Sequence, residues 1–143
     1  MNEEKMLYIK QWLEKAKDDL RVYDILMKDE NPVLSIAGFH LQQSAEKYLK
    51  AYLEYMSVPF AKTHDIEYLL ELCASLNALF AQINFVNLTD YAVDMRYPGF
   101  MQTPTKNELE QDYISVHEIK RIPTATSIFF SGMIVPTFAG KKL

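Results

Sequence analysis

The chain has little of what small proteins use when they cannot build a core. One cysteine, Cys73, stands among 143 residues, so no intramolecular disulfide can form, and a lone thiol suits a reducing cytoplasm. Four glycines leave little room for a loop that cradles phosphate, and no Walker loop, dinucleotide fingerprint or nucleophile elbow is present. The three histidines, His40, His64 and His117, are read onto three different helices. No two have the spacing of a helical zinc site, so neither metal nor cofactor is expected. Positive charge is in deficit, with 15 Lys and Arg against 19 Asp and Glu and a net charge of −4. That argues against a generic nucleic-acid binder while leaving a local basic pocket open. No apolar run reaches the roughly 20 residues of a membrane span. The uncharged stretch from Thr124 to Gly140 is short and broken by Pro136. The acidic N-terminus lacks a signal-peptide pattern, so a cytoplasmic protein is expected.

What is present is hydrophobic and periodic. The apolar share is 49%, with nine Tyr, eight Phe and one Trp. A chain of this length makes one domain and buries roughly 70% of its unfolded surface. Met6, Ile9, Leu13, Ala16, Leu20, Tyr23 and Met27 alternate spacings of three and four, which predicts one helix from Glu3 to Lys28. Asn31-Pro32 reads as cap and first turn of a second helix, running from Val33 to about Met56. Leu34, Ala37, Leu41, Ala45, Tyr48, Tyr52 and Tyr55 form its buried stripe, and the short connection makes the two helices antiparallel neighbours. Val58-Pro59 ends it. Thr63 is the expected cap of a third helix carrying Ile66, Leu69, Leu70, Cys73, Leu76 and Phe80. Asn87 caps a short fourth helix that Tyr97-Pro98-Gly99 stops. Thr105 and Glu108 have the spacing of a capping box, opening a fifth helix to about Arg121. The expectation is an all-α, up-and-down bundle of four to five helices over residues 1–122, with an irregular tail at 123–143.

Several polar groups invite a chemical reading. His40 sits among Phe39, Leu41 and the Gln42-Gln43 pair, at the border of the core or in a pocket. Gln43, Glu46, Lys47 and Lys50 make a polar strip with two i, i+4 pairs, which by itself reads as a solvated face. His64-Asp65 opens the third helix, where Asp65 is good capping chemistry and His64 is a base or an anion contact. Arg96, before Tyr97-Pro98, either grips an anion through two hydrogen bonds or closes its own helix.

The order of these pieces resembles the HEPN family, small helical domains often encoded beside minimal nucleotidyltransferases. It is carried by Trp12-Leu13-Glu14-Lys15-Ala16-Lys17-Asp18-Asp19-Leu20 and by the run from Phe39 to Leu53, FHLQQSAEKYLKAYL. Thr63-His64-Asp65-Ile66 and Arg96-Tyr97-Pro98 complete it, and together they span about Glu3 to Arg121. The resemblance implies an up-and-down bundle, usually dimeric. Many members are metal-independent ribonucleases marked by an Arg and, after four to six residues, a His; here those positions after Arg96 hold Met101, Gln102 and Thr103.

With that mark missing, the resemblance implies a binding subunit: a homodimer that pairs with a minimal nucleotidyltransferase, as toxin–antitoxin modules do, and binds a nucleotide or RNA. His40, Lys47, Lys50, His64, Arg96 and Tyr97 are its expected ligand contacts, with no catalytic residue assigned. Two alternatives stand beside it. One is a ribonuclease in which the fold brings His40, His64 or His117 to Arg96. The other is a purely structural helical dimer.

Overall fold

The first helix starts where Asn2 can satisfy an open amide: its Oδ1 accepts from the Lys5 backbone N–H at 2.7 Å. Glu3 and Glu4 in the first turn suit the positive end of the helix dipole. In the computed structural model, which describes residues 2–94 and 103–122, α1 runs Glu3–Met27. Ile9, Leu13, Ala16, Leu20 and Tyr23 of the expected stripe are buried, and Met6 and Met27 at its ends are half-buried.

The turn before the second helix departs from the expectation. Asn31 caps nothing; its own N–H donates to Asp29 Oδ1 at 2.8 Å, closing a side-chain turn. Helix α2, Leu34–Tyr55, starts later, with Val33 at the cap position and no side-chain cap bond. It also ends before Val58-Pro59. The Ser57 N–H donates to the Glu54 carbonyl and the Val58 N–H to the Leu53 carbonyl, with Ser57 at φ 59°. This paired closure with a left-handed residue terminates the helix ahead of the proline.

Helices α1 and α2 are antiparallel neighbours. Lys5 bonds Ser57 near one end, and the Ser44 hydroxyl donates to the Ala16 carbonyl at 2.8 Å in the middle. Asp19 meets His40 further along, so one number rises as the other falls.

Helix α3, Ile66–Leu76, is capped by Asp65, which accepts from Tyr68 N–H at 3.2 Å, and not by Thr63. Thr63 instead accepts from Asp65 N–H, which leaves His64 in the loop before the helix. Phe80 is not on α3. Asn77 starts a separate 3-10 turn, Ala78–Gln82, that carries Phe80 fully into the core. Helix α4, Leu88–Asp94, follows, and α5 runs Lys106–Arg121 behind the predicted capping box of Thr105 and Glu108. The expected stop at 97–99 and the tail at 123–143 lie outside the described residues.

Helix α2 is the hub: it packs against α1, α3, α4 and α5. Its burial therefore extends well beyond one stripe, taking in Gln42, Ser44, Glu46 and Lys50. The strip from Gln43 to Lys50 is accordingly not a solvated face. Gly38 is what lets α4 and α5 approach. A Cβ there would lie 3.2 Å from the Tyr91 ring and 3.3 Å from Leu109 Cδ2. The described residues form an all-α bundle without strands, and no described helix is long and apolar enough to cross a membrane.

Candidate functional site

Consecutive residues on an α-helix point about 100° apart, so Glu46 and Lys47 leave α2 in different directions. Each enters its own network. Glu46 is almost wholly buried, and all the bonds it needs converge on it. Its Oε2 accepts from Lys50 Nζ at 2.8 Å, one turn along the helix. Its Oε1 meets His64 Nδ1 at 2.8 Å and accepts from Gln42 Nε2 at 3.3 Å. Gln42 also donates to the His64 carbonyl at 3.2 Å, so the same loop residue is held by both backbone and ring. Burial works to raise the Glu46 carboxyl, but the hydrogen bonds and positive charges of Lys50 and His64 outweigh it, and its pKa is lowered. Charge-assisted bonds of this kind are the strong ones.

The second network joins α1 to α2. Asp19 faces His40 Nδ1 through Oδ1 at 2.9 Å and accepts from Lys47 Nζ through Oδ2. Both histidines are thus gripped at Nδ1 by a carboxylate. That fixes the ring and leaves Nε2 to meet something else, as in sites where a carboxylate orients an imidazole. The His64 side chain is 56% exposed and His40 27%, so the free edge of each ring is reachable.

Four of the six expected contact residues therefore occur as two pairs, His40 with Lys47 and Lys50 with His64. Arg96 and Tyr97 lie outside the described residues. The reading of His64 as a helical residue is corrected: it stands in the loop ahead of Asp65, because Asp65 takes the cap. Gln42 completes the first network and Asp19 the second, and neither is among the contact residues expected from the sequence. The spacing Gln42, Glu46, Lys50 was visible as i, i+4 steps. Asp19 offered no signal, since its partners lie on another helix.

His117 is placed elsewhere. Its ring meets Tyr113 edge-on at 4.5 Å between centroids, and Tyr113 stacks on Tyr23 at 5.0 Å. Burial, then Lys120 and Arg121, lower its pKa against the opposing pull of Asp24. A depressed imidazole binds its proton less readily folded than unfolded. Its contribution to stability is complete above the ordinary value of 6.5 and is lost as the pH falls through the lower folded value. Wild-type stability is therefore expected to drop between about pH 7.5 and about pH 5, and that of His117→Gln to drop less. Urea midpoints at the two pH values check it; equal losses would remove His117 from the transition.

Asp112 is a further buried carboxyl. It accepts from Val86 N–H at 2.7 Å and Tyr91 O–H at 3.1 Å, tying α5 to α4 and the loop before it. Burial, countered by these bonds, leaves its pKa raised. Among the described residues no group of three or more His, Cys, Asp or Glu could hold a metal ion. The Cys73 thiol, buried beneath α2, is pushed up to about 12 by desolvation and is no nucleophile.

The same elements build a cleft of about 660 Å³ beside the first network. Tyr8 and Trp12 of α1, Lys50 of α2, and Phe60 and Lys62 of the following loop line it. Lys50 Nζ lies 5.6 Å from the Trp12 ring centroid and 5.9 Å from that of Phe60.

Searches among curated proteins and among solved structures returned no match. The family model described as the HEPN domain matches residues 9–122. That range runs from the first buried residue of α1 to the residue that closes α5, so it contains the hub helix and both carboxylate networks. The chain belongs to the HEPN domain family.

Proposed function

We propose that the chain is a HEPN-type binding subunit that forms a homodimer, pairs with a minimal nucleotidyltransferase in a toxin–antitoxin-like module, and holds a nucleotide-like anion. The observation that carries this reading is the pair of carboxylate-anchored imidazoles, His40 on α2 and His64 on the loop before α3, whose networks each include a lysine of α2. The free ring edges of His40 and His64 would bond a ligand, and Lys47 would meet its phosphate. On the family-like order of motifs, Arg96 would serve the same ligand as a two-point phosphate contact, and Tyr97 as a stacking surface for the base.

Calorimetry with ATP, GTP and short RNA tests it on the wild type, His40→Ala and Arg96→Ala. Binding by the wild type is expected, weakened about tenfold or more in both variants. Equal binding by all three proteins would remove His40 and Arg96 from the site, and no binding by any would end the nucleotide reading. Sedimentation of the same samples reads the dimer. The alternative reading is a ribonuclease in which the fold brings His40, His64 or His117 to Arg96. Metal-free RNA cleavage that disappears in Arg96→Ala would establish it instead.

A further inference from the structure

The cleft at the start of α1 has features that neither carboxylate network uses. Its charged lining is Lys5, Lys50, Lys62 and Glu54. Lys50 is neutralised from behind by Glu46, and Glu54 offsets one more, which leaves one net positive charge at the mouth. Tyr8, Trp12 and Phe60 supply three aromatic rings, with Val58 and Pro59 between them. A volume of about 660 Å³ is that of a site for a small organic molecule.

Trp12 is the telling residue. Its indole N–H is sealed from solvent and has no acceptor among the described residues. Among the described residues the ring is held by an edge contact with Tyr8 at 5.8 Å between centroids and by the Lys50 ammonium over its face. A buried donor without an acceptor is costly, and no hydrogen bond from a described residue pins the indole in place. On the far side Phe60 shares the same ammonium. Two rings flanking one buried cation, with Lys5 and Lys62 further out, form an arrangement for a flat ring that carries an anionic group.

We propose that this cleft is a binding site for a small aromatic anion of about mononucleotide size, distinct from the network of Asp19, His40 and Lys47. The ligand ring packs against Trp12 and Phe60, and its phosphate or carboxylate is met by Lys5 and Lys62. This does not depend on the nucleotidyltransferase reading.

The chain has one tryptophan, and it lines this cleft, so its emission, excited beyond nucleotide absorption, reports the site directly. The full chain is titrated with AMP, benzoate, adenosine and inorganic phosphate. AMP or benzoate is expected to change Trp12 emission saturably, and which of them binds more tightly tells phosphate from carboxylate. Adenosine, without the anion, and phosphate, without the ring, are each expected to bind at least about tenfold more weakly. The double variant Lys5→Ala, Lys62→Ala should weaken the better ligand by about tenfold or more, while Lys28→Ala, an exposed lysine at the far end of α1, leaves its affinity unchanged. No saturable change with AMP or benzoate, equal affinity in the double variant, or equal loss in Lys28→Ala would each overturn the proposal.

Discussion

Leu41→Ala is expected to cost about 2–5 kcal/mol of folding stability. Leu41 is fully buried near the middle of α2, the helix that touches α1, α3, α4 and α5. Truncation removes the transfer energy of the side chain and leaves a cavity. Because several packed elements border the hub helix, the walls cannot all relax inward at once, and the cavity persists. A domain of ordinary stability holds about 5–15 kcal/mol in all, so the midpoint of a urea melt should move visibly. A loss under about half a kcal/mol would mean that Leu41 is not part of the core.

The second large effect is electrostatic. Glu46→Ala is expected to cost about 3–5 kcal/mol, because it strands the Lys50 ammonium, whose side chain is only 7% exposed. The loss comes from the uncompensated buried charge more than from the bond itself. The double variant Glu46→Leu, Lys50→Met removes both charges and should recover most of the stability, since a well-packed apolar pair is often as stable as a buried ion pair. Denaturant melts of the two variants decide it. If the double variant is as unstable as the single one, the buried charge is not the cause. The pH dependence has a stated sign. The lowered Glu46 pKa contributes stability above the ordinary carboxylate value of 4.5 that is lost as pH falls through the folded value. Asp112, with its pKa raised, works the other way: the folded state holds that proton more tightly, so its unfavourable contribution grows as pH rises through the carboxylate range.

Much of the helical framework was legible because it is local. The stripe from Ile9 to Tyr23 needs only period 3.6, and the Thr105–Glu108 box needs only neighbours three residues apart. Boundaries that depend on competition between nearby polar groups were misjudged. Asn31 had Asp29 within reach, Thr63 lost the cap to Asp65, and Asn77 interrupted the helix that seemed to run to Phe80. Each is a choice between two bonds of similar strength, which composition does not rank.

The candidate site divides in the same way. Glu46 and Lys50 could be paired from spacing alone, and the family-like run around them marked α2 as the place to look. Their burial could not be foreseen. On an isolated helix Gln42, Glu46 and Lys50 make a plain solvated strip; here other elements of the fold close over it, with His64 completing it from the loop before α3.

By itself, then, the sequence determined the helical class, the helix-forming segments and the family, because these follow from periodicity and motif order within short stretches of chain. Only the tertiary structure decided that the polar strip is internal. It alone assigned His40 to Asp19, gave His64 to Glu46, and set Trp12 and Phe60 on either side of Lys50. Those pairings join residues 10 to 38 positions apart. A local pattern carries no information about which distant residue will exclude water from a given charge, and that exclusion is what turns a surface lysine into a buried one.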